Sequence, residues 1–154
     1  MSNVDVPPCA ETLPREVTLA VRDACLCLHV QRAARAVARR FDEALRPVGL
    51  TNQQFSLLMS LNRPVPPTMG QVAAGLGMDR TTVTANLKPL VRRGLARVDA
   101  DPADRRTRRL VLADAGRSLL AAAMPLWRAA QDANEELVPD GDPDRLRVSL
   151  RALS

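Results

Sequence analysis

Apolar side chains return every three or four positions through most of this chain, the spacing that lines one face of an α-helix. Val30, Ala34, Val37, Phe41 and Leu45 make such a stripe and predict one long helix over residues 17–46, stopped by Pro47 and Gly49. Upstream, Pro7, Pro8 and Pro14 resist a helix, so residues 1–16 read as an extended arm. Thr51 and Gln54 have capping-box spacing and open a second helix with Phe55, Leu58 and Leu61 on its buried face. After the stiff segment RPVPP, Thr68 and Gln71 repeat that spacing before a short third helix carrying Met69, Val72 and Leu76. Gly77 turns the chain, and Asp79 caps a fourth helix reaching about residue 93, with Val83, Leu87, Leu90 and Val91 inward. Pro89 sits in its second half, where a bend is tolerable.

The period changes after Gly94. Residues 95–98 and 109–112 have strand character, with Leu110 and Leu112 on one face, and a polar loop joins them into a hairpin. Asp114 is the expected cap of a long fifth helix with Leu119, Leu120, Met124, Trp127, Ala130 and Leu137 at its apolar positions. Pro125 should bend or split that helix. Asp142 and Pro143 read as N-cap and first position of a last helix over 143–153. The order predicts a mainly α fold with a small β-hairpin: a winged helix-turn-helix over residues 51–113, flanked by helical regions at 17–50 and 114–154, all in one compact domain. The flanking stripes exceed what one small winged helix covers, which points to a second copy of the chain and a two-fold homodimer. An internal helical layer is the competing explanation.

Charge sharpens the picture. The net charge of the 154 residues is +5, and the segment 79–109 alone carries nine Lys or Arg against four Asp, so the remainder is balanced. An excess gathered in one segment is the footprint of a polyanion-binding surface. Aromatic residues are only 2% of the chain and Tyr is absent, which argues against stacking on single strands as the binding mode. No apolar run approaches the roughly 18 residues needed to cross a bilayer. The polar start, MSNVDVPPCAETLPREV, does not resemble a secretion signal, so the chain is expected in the cytoplasm and without a membrane partner.

Duplex DNA fits this arrangement. The major groove admits a helix and displays a distinct pattern for each base pair. The exposed side of the fourth helix should present Arg80, Thr81, Thr84, Asn86 and Lys88 to base edges and phosphates, with Thr81 or Thr82 alternatively serving as a local cap. Arg105 and Arg106 occupy the hairpin tip, where guanidinium groups suit a narrow, negative minor groove. Asp104 is placed to hold the loop or orient an arginine, Asp101 and Pro102 suit a turn start, and Arg108 and Arg109 are expected on phosphate.

The segments VGLTNQQFSLLMSL, LGMDRTTVTANLKPLVRRGLARV and DPADRRTRRLVLADAG together resemble the multiple-antibiotic-resistance regulator (MarR) family, over residues 26–137. The resemblance implies a winged-helix homodimer on pseudo-palindromic duplex DNA. It also implies repression, released by a small molecule or by cysteine oxidation. Asp104 and Arg106 match the family's wing residues, and Arg80, Thr81 and Thr84 fall in its recognition helix. Family members often have Thr where this chain has Ala113, leaving Asp114 to cap alone.

Two kinds of signal are open, beside the possibility that no small effector exists and protein level alone sets repression. In the family, a crevice between the dimer helices and the winged domain often takes aromatic acids and phenolic compounds. Here the first, second and fifth helices would line it, with His29 or Arg32 as the polar anchor. Alternatively, Cys27 stands where the organic-hydroperoxide-sensing branch has its reactive cysteine. That branch supports the thiolate with tyrosines, and Phe41 and Asn52 occupy the corresponding positions here. Cys25 and His29 are four apart, but two candidate ligands, even with Cys9, are too few to define a zinc site, and ordinary packing accounts for them. No metal, cofactor or catalytic constellation is expected, so an enzyme is disfavoured. A protein-interaction module without DNA binding would leave the arginine-rich hairpin unexplained.

Overall fold

The computed structural model describes residues 13–154; residues 1–12 of the arm expected over 1–16, including Cys9, lie outside them, and its last two residues belong to a helix. Contacts group the chain into two units divided within one helix, Met1–Ala36 and Val37–Ser154.

In the first unit, α1 (Arg15–Ala24) is followed at once by α2 (Leu26–Leu45), which continues into the second unit. The single long helix expected over 17–46 is therefore two, and it begins two residues earlier. The break is at Cys25, whose extended backbone (φ −75°, ψ 103°) ends α1. Its thiol then accepts the Leu28 N–H at 3.4 Å, the service an N-cap side chain gives a helix start. No glycine or proline marks the site. The expected stripe is also only half buried: Phe41 and Leu45 are in the core, whereas Val30, Ala34 and Val37 face solvent.

The second unit holds the core. A short 3-10 turn (Arg46–Val48) leads to α3 (Asn52–Leu61), α4 (Met69–Leu76) and α5 (Arg80–Arg92). Both capping boxes form as the spacing predicts, Thr51 with Gln54 and Thr68 with Gln71. Gly77 takes the left-handed conformation (φ 61°) that a turn this tight between α4 and α5 requires. Strands β1 (Ala96–Ala100) and β2 (Arg108–Leu112) pair antiparallel, with Val98 opposite Leu110 and Ala96 opposite Leu112. Leu110 and Leu112 do share the buried face.

The connector before α4 joins the hairpin. Thr68 makes a bridge to Arg109, and the Leu110 N–H donates to Pro67 O at 2.8 Å. Leu45, Leu58, Val72, Val83, Leu90 and Leu110 are completely buried between these elements. Trp127 of α6 (Asp114–Glu135) stacks on Phe41 and Phe55, with ring centroids 6.3 and 6.2 Å apart.

Several expectations need correcting. Ala113, not Asp114, is the N-cap of α6, and it offers no side-chain bond. Asp114 is the first helical residue and pairs with Arg117 at 3.3 Å. α6 runs unbroken through Pro125, so the proline does not split it. Leu137 lies beyond the end of α6 and is exposed. Val91 also faces outward; with Val98, Leu87 and Met69 it lines an apolar hollow of about 550 Å³ between α5 and the hairpin. A 3-10 turn (Pro139–Gly141) precedes α7 (Pro143–Arg151), whose N-cap Asp142 accepts the Arg145 N–H as expected.

Candidate nucleic-acid interface

The start of α5 is fixed by its cap. Asp79 accepts the Thr82 N–H at 2.8 Å and the Thr82 hydroxyl at 2.7 Å. Those bonds, the hydroxyl first, hold the Asp79 carboxyl below its ordinary range. Thr82 is thus the capping threonine, and Thr81 is left exposed. Arg80, Thr81, Thr84, Ala85 and Lys88 together line a shallow depression of about 300 Å³ along one side of the helix. The Arg80 guanidinium lies over Gly70 in the first turn of α4, so close that a methyl there would sit 3.2 Å from Nη2. The Thr84 hydroxyl donates to Arg80 O at 2.7 Å, turning its methyl outward from that bond. Asn86 is already engaged: its amide donates to Gln53 Oε1 at 2.9 Å and to Thr82 O at 3.0 Å, tying α5 to α3.

The hairpin loop is a compact turn built on two aspartates. Asp104 accepts the Arg106 N–H at 3.0 Å and the Thr107 hydroxyl at 2.9 Å, so it holds the loop rather than an arginine. Asp101 accepts the Ala103 N–H at 2.8 Å, the turn start its sequence position suggests. Asp101 also takes Arg109 Nε at 2.5 Å. These two bonds, the backbone one first, keep the Asp101 carboxyl below its usual range. Arg109 further donates through Nη1 to Pro66 O at 3.1 Å. By contrast Arg105, Arg106 and Arg108 are exposed, and among the described residues none of them, nor Arg80 or Lys88, forms an ion pair. The surface therefore carries uncompensated positive charge at two places, the flank of α5 and the tip of the hairpin.

The signal candidates lie in the first unit. Cys27 is exposed, and Gln31 Nε2 donates to its sulfur at 3.1 Å. His29 Nε2 is 3.1 Å from Asp23 O, so the ring donates to a carbonyl at the end of α1. Arg32 is exposed. Among the described residues no group of three His, Cys, Asp or Glu side chains is placed to hold a metal ion. In the second unit a cavity of about 410 Å³ opens between α3, α4 and α6, lined by Phe55, Ser56, Met59, Ser60, Leu76, Met124 and Trp127. Its polar groups are the two serines, and His29 and Arg32 are not in its lining.

Signals for the residues that sequence reasoning missed are mostly non-local. Gln53 and Pro66 act on partners 33 and 43 positions away. Thr82, three positions from a capping aspartate, is legible from spacing and is one of the two threonines expected in a local capping role.

Comparison with known proteins places this geometry. A family model described as the MarR family matches residues 48–107. The solved Mycobacterium tuberculosis transcriptional regulator MosR in complex with DNA is 42% identical, with a TM-score of 0.75, over 84% of this chain and 92% of that one. The transcriptional repressor CouR bound to a 23-mer DNA duplex is 32% identical, with a TM-score of 0.77, over 88% and 96% of the two chains. CouR from Rhodococcus jostii RHA1 bound to p-coumaroyl-CoA is 26% identical, with a TM-score of 0.73, over 85% and 92%. An uncharacterized HTH-type transcriptional regulator of Bacillus subtilis, YwoH, is 32% identical over 65 residues, 42% of this chain; the match spans 47% of that relative's length.

Proposed function

The chain belongs to the MarR family of winged helix-turn-helix transcriptional regulators, and from that premise we propose that it is a homodimeric repressor of a pseudo-palindromic operator, released by a small aromatic or phenolic effector. Its solved relatives are regulators of transcription rather than enzymes. The observation that carries the reading is the pair of unneutralised basic surfaces on α5 and the hairpin tip. α5 enters the major groove, where Arg80, Thr81 and Thr84 read base edges and Lys88 meets phosphate. Arg105 and Arg106 reach the flanking minor groove and Arg108 the backbone. Asn86 and Asp104 shape these elements from within. Among the described residues no helix is long and apolar enough to cross a membrane; the proposed place of action is the cytoplasm.

The dimer is supported by apolar side chains left exposed at both ends of the described chain, Val17, Val21 and Leu26 at one and Leu146, Leu150 and Leu153 at the other. The α3–α6 cavity is the effector site: its apolar and aromatic walls suit a planar aromatic ring, with the Ser56 hydroxyl as a polar group, the Ser60 hydroxyl being spent on Leu57 O at 2.7 Å. The p-coumaroyl-CoA bound by CouR carries a phenolic acyl group on its thioester. Gel retardation of a duplex selected by the protein from a random pool tests the repressor reading. Specific retardation, relieved by an aromatic acid, is expected; equal affinity for every duplex would reject it.

A second reading rests on the exposed Cys27 thiol and its bond from Gln31. Oxidation of that thiol by peroxide releases the operator, and Cys27→Ser binds but no longer responds. Full retention of binding after complete Cys27 oxidation would exclude it.

A further inference from the structure

Asp101 is the one buried charged residue among those described, 7% exposed, and it sits at the mouth of the hairpin rather than in the core. Its backbone closes the loop, with its N–H donating to Thr107 O at 2.9 Å. One carboxylate oxygen holds the Ala103 N–H, and the other accepts Arg109 Nε and forms an ion pair with Nη2. Arg109 then crosses to Pro66 O in the connector that leads directly into the capping box of α4. The neighbouring backbone repeats the link, Leu110 N–H to Pro67 O and Thr68 to Arg109. α4 in turn packs on α5. A continuous chain of bonds thus runs from the wing through one guanidinium to the helix pair.

We propose that Arg109 is a positioning residue: joined to buried Asp101 and to Pro66, it sets the height of the wing tip relative to α5 and makes no phosphate contact of its own. The inference rests on the wing's part in the proposed function. Two of the five donors of Arg109 are hydrogen-bonded within the protein, and Nη2 faces the same Asp101 oxygen as an ion pair. Its side chain is 28% exposed, and its charge is matched by Asp101 at 2.5 Å. The pair as a whole therefore offers a polyanion almost no net attraction. Its worth to binding is geometric, because a guanidinium tip entering a minor groove must arrive in register with the helix in the adjoining major groove.

This role has a sign that charge alone does not give. Removing an acid from a DNA-facing hairpin ordinarily tightens binding, since one repulsion is lost. Asp101→Asn retains an oxygen for the Ala103 N–H but surrenders the ion pair. Arg109→Lys keeps the charge but not the fork that spans two acceptors. Titration of a labelled duplex selected from a random pool, at several salt concentrations, reads both effects. Asp101→Asn and Arg109→Lys are each expected to weaken binding about tenfold, with the slope of log K against log salt as in the parent, because no phosphate contact has been removed. Arg106→Ala, run alongside, lowers that slope by about one unit.

Binding by Asp101→Asn as tight as the parent or tighter overturns the proposal. So does a loss of about one slope unit in Arg109→Ala, which would make Arg109 a phosphate contact. If Arg106→Ala also binds as the parent does, the wing reading itself fails and the inference with it. Circular dichroism of each variant separates unfolding from misplacement, and Arg109→Lys serves if Asp101→Asn does not fold.

Discussion

At the scale of single residues, Arg106 and Asp79 make opposite demands on the solvent. Arg106 is exposed and unpaired, so its charge is available to a polyanion, while its N–H is spent on Asp104 to hold the turn. Replacing the side chain by Ala removes the charge and keeps that backbone bond. Operator affinity is expected to fall by at least about tenfold, with the salt slope lower by about one unit and the thermal midpoint unchanged. Asp79 works as an anion whose carboxyl the Thr82 hydroxyl and N–H hold below its ordinary value of 3.8. The folded state then binds fewer protons than the unfolded chain through that range. The stability Asp79 adds is complete above the unfolded value and is lost as pH falls through the lower folded one. Thermal melts at descending pH are expected to drop below about pH 4, and Asp79→Asn, which caps without titrating, to flatten that drop. The capping residues were legible because a cap acts on backbone three positions away. Arg109 was not, because its acceptors are Asp101 across the hairpin and Pro66 in the connector. One-dimensional spacing places an arginine in a basic run and cannot show which way its guanidinium turns.

At the scale of elements, the helix-turn-helix and hairpin followed from period and punctuation, whereas two features depended on what the elements meet. The α1–α2 break is one. Cys25 has neither the geometry of glycine nor the missing donor of proline, and its thiol acts as a cap only because the chain leaves the helix there. The other is Gly116, in the first turn of α6, which is buried against the hairpin. An added Cβ would run into the Leu95 carbonyl oxygen and come within 2.7 Å of Leu112 Cδ1. That same carbonyl accepts the Ala113 N–H at 3.1 Å, so it is pinned and cannot retreat. On a free helix Gly→Ala stabilises by up to about 1 kcal/mol. Here overpacking against a fixed backbone costs about 1–3 kcal/mol, so Gly116→Ala is expected to lower stability, read by urea denaturation. A gain would mean that α6 does not rest on the hairpin in this way. The close seat also explains why α6 starts well without a side-chain cap at Ala113: its first turn is held from the side.

At the scale of the whole molecule, the described residues leave apolar surface exposed. Leu146, Leu150 and Leu153 lie at helical spacing on and just past α7, and they are 42%, 44% and 67% exposed. The polar side of α7 is fastened instead, with Arg147 paired to both Glu135 and Asp144. A helix held by its polar side while its apolar stripe faces outward is arranged for a second chain. The proposed function requires the same thing. One α5 reads only a few base pairs, and a two-fold dimer sets two such helices about 34 Å apart, one turn of the duplex, so that both bind the same face. Leu150→Glu with Leu153→Glu places charge in the stripe without touching α5 or the hairpin. Light scattering is expected to show the mass halved, while circular dichroism keeps the helical signal of the winged unit. Binding to the full operator should then fall to the level of an isolated half-site and become insensitive to the second half. If the double variant stays a dimer with operator affinity intact, the α7 stripe is not the dimer contact. The exposed residues of α1 and early α2 would then have to provide it by themselves.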